Sequence, residues 1–250
     1  MSGVKIGEIV LEQTDSTNNY AKLNIENLHD KSVIIAKRQT AGRGRLNRSW
    51  IDLGKNNLFL SIVLKPSDSY KEVYSNLTQY LSVTLCKILE QYKLQPQIKW
   101  PNDVLINGKK ISGILAETVM NGNSLKGIIL GIGVNLNADK HVLKSIKDKP
   151  ATALNIELNQ DIDILQFKNK LLNNFFKNYN DFLQSGFSYI YNDYIKRTNF
   201  LNRRIKIQIF NRTEEGIAQD INDKGELILL TDDNNRITLT IGDIITTDNI

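Results

Sequence analysis

The sequence predicts an α+β protein in which helices flank a mixed or antiparallel sheet and a small β-barrel follows at the C-terminal end. Three observations predict this class. Apolar residues recur at helical spacing over residues 69–92 and 163–183. Apolar runs separated by turn residues fill residues 97–135, which is typical of an antiparallel meander. Beyond residue 200, short alternating runs between Asp, Asn and Gly turns predict a compact all-β region.

The N-terminal part of the chain predicts one short helix and two strands. Residues 18–28 have helical character, with Ser16 or Thr17 as the N-cap. Residues 32–36 are a short apolar run and predict a strand. Residues 57–64 (NLFLSIVL) are longer and almost entirely apolar, so we expect a strand that is buried on both faces.

The meander is marked by its turns. Residues 97–106 predict a strand that leads into an Asn-Gly pair at 107–108, a strong hairpin signal. Residues 110–119 return, and a second turn at 121–123 leads into residues 125–135. Three successive strands of one antiparallel sheet are therefore expected.

The C-terminal region predicts four further short strands, at residues 205–210, 226–230, 237–239 and 244–245. We therefore expect a domain of residues 1–199 and a small β domain of residues 200–250.

Composition excludes several classes of protein. With 250 residues and 41% hydrophobic content, the chain can bury a sizeable core. The single cysteine, Cys86, cannot form an intramolecular disulfide, and with only His29 and His141 a structural zinc site has no ligand set. No apolar run approaches the roughly 18 residues of a membrane span, and the start of the chain lacks a secretory apolar segment. We expect a cytoplasmic protein that does not enter the membrane.

A loop rich in glycine and arginine is the first segment that can carry chemistry. Residues 42–50 (GRGRLNRSW) place two glycines, three arginines and a tryptophan within nine positions. Glycines let backbone N–H groups approach a ligand, and guanidinium groups bind anionic oxygens in pairs. The pattern suits a triphosphate. A basic surface loop or a nucleic-acid-binding loop would have similar composition, and the pI of about 9.1 leaves both open.

Two segments of the meander carry further polar groups. In residues 99–103 (KWPND), Asn102 and Asp103 can orient a ribose, phosphates or Mg²⁺, although the same residues also favour a simple turn. In residues 109–117 (KKISGILAE), a lysine at the head of a strand can neutralise the charge that develops at phosphorus. The other lysine, Lys109, is expected to be solvated.

Two more segments are ambiguous. Residues 131–137 (GIGVNLN) leave one strand face bare, which makes room either for a flat ligand or for tight helix-on-sheet packing. Residues 15–19 (DSTNN) can bind a polar head group or can simply cap a helix.

The order and spacing of these segments resemble the biotin–protein ligase family. The matching motifs are Ser-Thr-Asn, Gln39 ahead of Gly-Arg-Gly-Arg and Arg-x-Trp, Lys-Trp-Pro-Asn-Asp, Lys-Ile-x-Gly-Ile-Leu-x-Glu and Gly-Ile-Gly-x-Asn, within residues 14–137. The resemblance implies a class II synthetase-like catalytic domain with an SH3-like C-terminal β-barrel. It also implies that ATP and biotin form biotinyl-5'-AMP and pyrophosphate, after which biotin passes to a lysine of a biotin carboxyl carrier domain and AMP is released.

The same resemblance implies roles for individual residues. Those expected at biotin are Ser16, Thr17, Asn18, Gln39, Gly42, Arg43, Gly44, Arg45, Lys110, Gly113 and Gly131. Those expected at ATP are Arg45, Arg48, Trp50, Asn102, Asp103, Lys110 and Asn135. Lys110, Arg43 and Arg45 are the expected catalytic residues. Mg²⁺ is expected to enter with ATP, with Asp103 as a candidate ligand, and no tightly bound cofactor is expected.

The resemblance also bears on partners and alternatives. Because Ser-Thr-Asn begins at Ser16, we expect no N-terminal DNA-binding domain and no repressor activity. A monomer or a homodimer is compatible with the sequence. The alternatives are a lipoate– or octanoate–protein ligase, a nucleic-acid-binding module, and a biotin-binding protein that has lost catalysis.

Overall fold

The structure is a computed structural model that describes residues 7–46, 48–53, 56–66, 71–145 and 150–247. These residues divide into two compact units. The first unit comprises Met1–Glu72 and Lys109–Lys170, and the second comprises Val73–Gly108 and Leu171–Ile250.

The described strands and helices follow in chain order. The strands are β1 (Glu8–Leu11), β2 (Val33–Ala36), β3 (Leu58–Leu64), β4 (Pro96–Lys99), β5 (Asp103–Ile106), β6 (Lys109–Asn121), β7 (Ser124–Val134), β8 (Arg204–Ile209), β9 (Arg212–Ile221), β10 (Leu227–Leu230), β11 (Arg236–Leu239) and β12 (Asp243–Thr247). The helices are α1 (Thr17–Leu23), α2 (Leu77–Glu90), α3 (Lys140–Ser145), α4 (Leu154–Leu158), α5 (Ile164–Lys177), α6 (Tyr179–Ser185) and α7 (Tyr191–Ile195). No helix in the described ranges combines the length and the apolar character needed to cross a bilayer.

The first unit contains a mixed sheet in which neighbouring strands follow the order β1-β2-β3-β7-β6. β1 and β2 are parallel, and the other neighbours are antiparallel. Every residue of β3 is buried, which confirms the predicted strand with two covered faces. The β6–β7 hairpin, with its turn at 121–123, is also confirmed. The predicted mixed sheet flanked by helices is therefore present.

Helix α1 is shorter than the predicted residues 18–28. It ends at Leu23 and is followed by a separate 3-10 turn, Ile25–Asn27. Ser16 occupies the N-cap position with an extended backbone, but its side chain makes no capping hydrogen bond within the described residues. Ala21 and Ile25 are buried in the core cluster of this unit, so the apolar face holds the helix on the sheet. The polar side chains at the start of α1 are therefore available for hydrogen bonds to residues outside the helix.

The second unit corrects two of the predicted elements. The single strand expected at residues 97–106 is two strands, β4 and β5, which form a hairpin with Lys99 opposite Asp103. The chain reverses at residues 100–102, where Pro101 has no N–H to donate to a ladder. The single helix expected at residues 163–183 is divided into α5 and α6 at Asn178, a residue type that favours helix caps.

Helix α2 is also shorter than the predicted residues 69–92, because a 3-10 turn, Glu72–Asn76, precedes it and residues 69–70 lie outside the described part of the chain. Cys86 is buried on α2, and burial raises the pKa of its thiol. The raised pKa keeps the thiol protonated at neutral pH, which disfavours its use as a nucleophile.

The C-terminal strands form an antiparallel sheet in the order β11-β10-β9-β8-β12. Ile205, Ile207 and Ile209 of β8 are buried, in agreement with the alternating pattern of the sequence. The long strand β9 was not predicted, since its first residues (RTEE) are polar or charged. The predicted small all-β region is nevertheless confirmed.

An ion-pair network around the buried side chain of Arg197 stabilises the second unit. Arg197, whose side chain is only 4% exposed, binds Glu90 with its Nε at 2.7 Å and Asp193 with one terminal nitrogen at 3.0 Å. Lys87 and Lys196 also bind Asp193. Burial would raise the pKa of Asp193, but the hydrogen bonds from Lys196, Lys87 and Arg197 outweigh it and hold this pKa well below its usual range. A carboxyl group whose pKa is lowered by folding stabilises the folded state fully above its unfolded pKa of about 3.9. This stabilisation is lost as pH falls from there toward the folded pKa.

We therefore expect Asp193→Asn to lower the free energy of unfolding by about 2 kcal/mol at neutral pH, because charged hydrogen bonds to a buried guanidinium are lost. The difference from the unmodified protein should shrink as pH falls below about 4, because the unfolded chain then binds a proton at Asp193 that the folded state, with its lowered pKa, does not yet bind. Urea unfolding at several pH values measures this. The matched control is Asp232→Asn, which breaks the exposed, solvent-screened pair with Arg204 and should cost much less than Asp193→Asn. Equal losses in the two variants would contradict the prediction.

Candidate functional site

The polar residues at the start of α1 form a buried hydrogen-bonded cluster. Gln39 Oε1 accepts hydrogen bonds from Thr17 N at 2.8 Å and from Thr17 Oγ1 at 3.2 Å. Ser61 Oγ, from the centre of β3, lies 2.8 Å from Thr17 Oγ1 and 2.6 Å from Asn18 Oδ1. Ser16, Thr17, Asn18 and Ser61 are all buried. A polar cluster of this kind can bind the polar ring of a small ligand with defined geometry.

A glycine on β7 makes room for this cluster. A Cβ atom at Gly131 would collide with Asn18 Oδ1 and would lie 2.8 Å from Asn18 Cγ. Asn18 cannot move away easily, because its Nδ2 donates to Glu117 Oε2 at 2.9 Å. The bare strand face predicted at residue 131 is thus occupied by a side chain of the protein itself.

Glu117 connects the cluster to the arginine-rich loop. Its carboxylate accepts hydrogen bonds from Asn18 and Lys22, each at 2.9 Å, and lies 3.4 Å from a terminal nitrogen of Arg43. Burial would raise the pKa of Glu117, but the hydrogen bonds from Asn18 and Lys22 and the charges of Lys22 and Arg43 lower it overall. Glu117 is therefore ionised at neutral pH and fixes Arg43 beside the cluster.

The described residues of the loop at 42–50 pair as the two sides of a hairpin. Its backbone is closed by hydrogen bonds from Trp50 N to Gly42 O at 2.9 Å and from Gly44 N to Arg48 O at 2.7 Å. A Cβ atom at Gly42 would lie 2.7 Å from Trp50 O, so a glycine is required where the two ends meet. Arg45 is half-buried and Arg48 exposed, whereas residue 47 lies outside the described residues.

The hairpin places Trp50 over glycines of β6 and β7. A Cβ atom at Gly133 would lie 2.5 Å from the Trp50 ring, and one at Gly113 would lie 2.8 Å from it. Lys110 Nζ lies 5.4 Å from the centroid of the same ring, within the range of a cation–π contact. Trp50 Nε1 is buried and has no hydrogen-bond partner in the described part of the chain. An indole and an ammonium group therefore lie side by side on a floor of glycines.

The backbone of Lys110 is fixed on both sides. Lys110 N donates to Pro150 O at 2.8 Å, and Lys110 O accepts from Thr152 N at 2.9 Å. Asn135 is buried, and its Nδ2 donates to Thr152 O at 2.9 Å, so it supports the segment that holds Lys110. By contrast, Lys109 is exposed, as the sequence predicts.

The remaining expected residues belong to the second unit. Asn102 is 7% exposed and lies in the reversal between β4 and β5, and Asp103 is the first residue of β5. Across the described ranges, no group of three or more His, Cys, Asp or Glu side chains is placed to hold a metal ion. Mg²⁺ commonly binds through one or two carboxylates together with substrate phosphates, and a single Asp103 fits that mode.

The first unit brings together the other residues expected from the sequence: Ser16, Thr17, Asn18, Gln39, Gly42, Arg43, Gly44, Arg45, Arg48, Trp50, Lys110, Gly113, Gly131 and Asn135. Three residues with evident roles were assigned none from the sequence: Ser61, Glu117 and Gly133. A signal existed for Ser61, because it is the one polar residue within the apolar run of β3. A buried hydroxyl in such a run requires a partner.

The comparisons with known proteins agree with this geometry. The model of the biotin/lipoate A/B protein ligase family matches residues 10–135, and that of the biotin protein ligase C-terminal domain matches residues 200–246. The bifunctional ligase/repressor BirA of Bacillus subtilis is 31% identical over 225 residues, which are 90% of this chain and 68% of that protein. The biotin–[acetyl-CoA-carboxylase] ligase of Paracoccus denitrificans is 30% identical and covers 88% of this chain and 92% of its own length.

A solved structure extends the likeness to the fold. The biotin protein ligase from Aquifex aeolicus, in complex with biotin and ATP, superimposes with a TM-score of 0.78 and 27% identity, over 95% of this chain and 97% of that one. The sequence models, the relatives and the fold all agree, and the chain therefore belongs to the biotin/lipoate A/B protein ligase family and carries a biotin protein ligase C-terminal domain.

Proposed function

We propose that this chain is an ATP-dependent biotin–protein ligase. It forms biotinyl-5'-AMP and pyrophosphate from biotin and ATP, then transfers biotin to a lysine of a biotin carboxyl carrier domain and releases AMP. The observation that carries the proposal is the link through Glu117, which joins the buried cluster at Asn18 to Arg43 of the loop. This arrangement holds groups suited to a polar ring next to groups suited to a carboxylate and a phosphate.

The arrangement around Glu117 and the family likeness support the following proposed residue roles. Biotin is bound by Ser16, Thr17, Asn18, Gln39, Gly42, Arg43, Gly44, Arg45, Lys110, Gly113 and Gly131. ATP is bound by Arg45, Arg48, Trp50, Asn102, Asp103, Lys110 and Asn135. Residues 1–199 carry the chemistry, and residues 200–250 form the small appended domain. Asp103 is the candidate residue that would hold Mg²⁺ arriving with ATP, and the ion would neutralise charge on the phosphates.

The chemistry needs positioned positive charge rather than a protein nucleophile. An oxygen of the biotin carboxylate bonds to the α-phosphorus, and the bond to the bridging oxygen breaks as pyrophosphate leaves. Lys110, Arg43 and Arg45 stabilise the negative charge that develops during this displacement. The acceptor amine then attacks the carbonyl carbon, loses a proton, and AMP departs with the bonding electrons. The loop of residues 42–50 excludes water, which would otherwise hydrolyse the mixed anhydride.

The loop makes a testable contribution to retention of the adenylate. We expect Arg45→Gly to speed the escape of biotinyl-AMP about tenfold, because one charged contact and part of the hairpin's rigidity are lost. Rapid-quench measurement of the bound adenylate over time gives the dwell time. The matched control is Arg38→Gly, an exposed arginine outside the loop. Equal dwell times in the Arg45 variant and the unmodified protein would contradict this role.

The function as a whole is tested by intact mass spectrometry. An apo carrier domain incubated with the protein, ATP, Mg²⁺ and biotin should gain the mass of one biotinyl group. Replacing biotin by lipoate tests the related ligase activity, for which the match to a biotin protein ligase C-terminal domain gives no support. Absence of both mass gain and biotin-dependent ATP–pyrophosphate exchange would overturn the proposal.

The proposal extends to partners and location. The protein acts in the cytoplasm as a monomer or a homodimer and binds no DNA. Sedimentation with and without biotinyl-AMP tests the oligomeric state. A DNA shift assay at physiological salt, with and without biotin, tests repressor-like binding.

A further inference from the structure

A buried carbonyl of the C-terminal sheet binds two side chains from outside that sheet. Gly225 O, in the turn between β9 and β10, accepts hydrogen bonds from Trp100 Nε1 at 3.1 Å and from Gln79 Nε2 at 2.7 Å. Asn76 Nδ2 donates to Lys224 O at 2.8 Å and to Gln79 Oε1 at 2.7 Å. Trp100, Gln79 and Asn76 are all buried. A buried network with paired donors and acceptors holds its members in one arrangement.

The turn that supplies this carbonyl is itself preshaped. Asn222 Oδ1 accepts hydrogen bonds from Lys224 N at 3.0 Å and Glu226 N at 2.9 Å, and Asn222 Nδ2 donates to Glu226 Oε2 at 2.8 Å. Gly225 has a φ of +77°, and a Cβ atom there would lie 2.6 Å from Asn76 Nδ2. Both the conformation and the space therefore require glycine. The turn is a rigid support rather than an adaptable loop.

Trp100, whose indole donates to the turn of residues 222–226, begins the reversal between β4 and β5. Trp100 is 2% exposed. The next carbonyl, Pro101 O, accepts a hydrogen bond from Tyr194 OH at 3.2 Å. Beyond Asn102, the ladder resumes with Asp103 opposite Lys99. The contacts of Trp100 and Pro101 therefore help to place Asn102 and Asp103, which follow them directly.

We propose that the turn of residues 222–226 is a positioning element for the nucleotide-binding residues Asn102 and Asp103. Through Gly225 O it fixes Trp100, and the C-terminal sheet thereby contributes to the binding of ATP without touching it. Displacements of about 1 Å are enough to weaken a site that must orient a triphosphate for in-line attack. The inference rests on the proposed function, since it assigns Asn102 and Asp103 to ATP.

The test removes one donor at a time while preserving size. Trp100→Phe deletes the indole N–H, and Gln79→Met deletes the amide. Steady-state biotin-dependent ATP–pyrophosphate exchange is measured in the full chain with ATP and biotin varied separately. Each variant should raise the KM for ATP fivefold to tenfold, as expected from about one lost hydrogen bond, and leave the KM for biotin within about twofold.

A control separates positioning from loss of stability. Thr84→Val on α2 removes a buried hydrogen bond to Tyr80 O, at 2.9 Å, without touching the turn. It should lower the Tm by a similar amount and leave the KM for ATP unchanged. If Trp100→Phe does not fold, Gln79→Met provides the same comparison.

The possible results distinguish a failure of this inference from a failure of the proposed ligase function. Folded variants with an unchanged KM for ATP, or with equal rises in both KM values, would overturn the inference while the proposed function stands. An unmodified protein that shows no biotin-dependent exchange would overturn the proposed function and this inference with it.

Discussion

Replacing Lys110 by Gln is expected to slow biotin-dependent ATP–pyrophosphate exchange a hundredfold to a thousandfold, about the loss caused by removing one preorganised donor from a charged transition state. The backbone of Lys110 is fixed between Pro150 and Thr152, and its ammonium group lies beside the Trp50 ring. This placement leaves little conformational freedom to be lost when charge develops. Biotin affinity should fall by no more than about tenfold, because the charge matters most during the displacement.

The chain offers a matched control at the adjacent position. Lys109→Gln makes the same change of charge at an exposed lysine on the same strand, and its exchange rate should stay within about twofold of the unmodified protein. Calorimetric titration with biotin separates binding from chemistry. A Lys110 variant that exchanges at the full rate, or a Lys109 variant with an equal loss, would assign the transition-state charge to another group.

Local patterns in the sequence predicted the buried segments more accurately than the positions at which the chain reverses. The apolar run of β3 is buried throughout because hydrophobic content reports burial directly. Apolar residues lie on both sides of Pro101 in residues 97–106 and on both sides of Asn178 in residues 163–183. The apolar pattern therefore did not reveal that the chain turns at Pro101 or that the helix breaks at Asn178. These interruptions depend on single residues whose effect is decided by tertiary contacts.

Strand β9 shows the opposite limit. Its residues Arg212–Ile221 (RTEEGIAQDI) contain too few apolar side chains for periodicity to reveal a strand. It is nevertheless central in its sheet, where it pairs with β8 and β10. Backbone pairing with neighbours on both sides, rather than its own side-chain pattern, makes this segment a strand.

The site motifs identified many polar residues but not their partners. Glu117 stood within a recognised motif, yet its contacts with Asn18, Lys22 and Arg43 join residues 74 to 99 positions apart in the chain. Similarly, the sequence left open whether the bare glycine face received a ligand or packing. The structure shows side chains there: Asn18 against Gly131, and Trp50 against Gly113 and Gly133. Contacts across such sequence distances have no local signature in a single sequence.

The second large effect is expected from Gly131→Ala, which should weaken biotin binding at least a hundredfold. The added methyl group would take the position of Asn18 Oδ1. Because Asn18 is held by Ser61 on one side and Glu117 on the other, its displacement disrupts the whole cluster rather than one rotamer. Loss of several pre-positioned polar contacts removes more affinity than the loss of any one of them.

The matched control is Gly127→Ala, on the same face of β7 and four residues away. Its added methyl group would meet Ile25 Cδ1 at 3.0 Å and Leu64 O at 3.2 Å, outside the polar cluster. We expect a modest loss of stability, of about 1 kcal/mol, and unchanged biotin binding. Calorimetric titration and thermal unfolding of both variants make the comparison. If folded Gly131→Ala protein bound biotin as tightly as the Gly127 variant, the vitamin could not lie against Asn18, and the cluster at the start of α1 would be structural support alone.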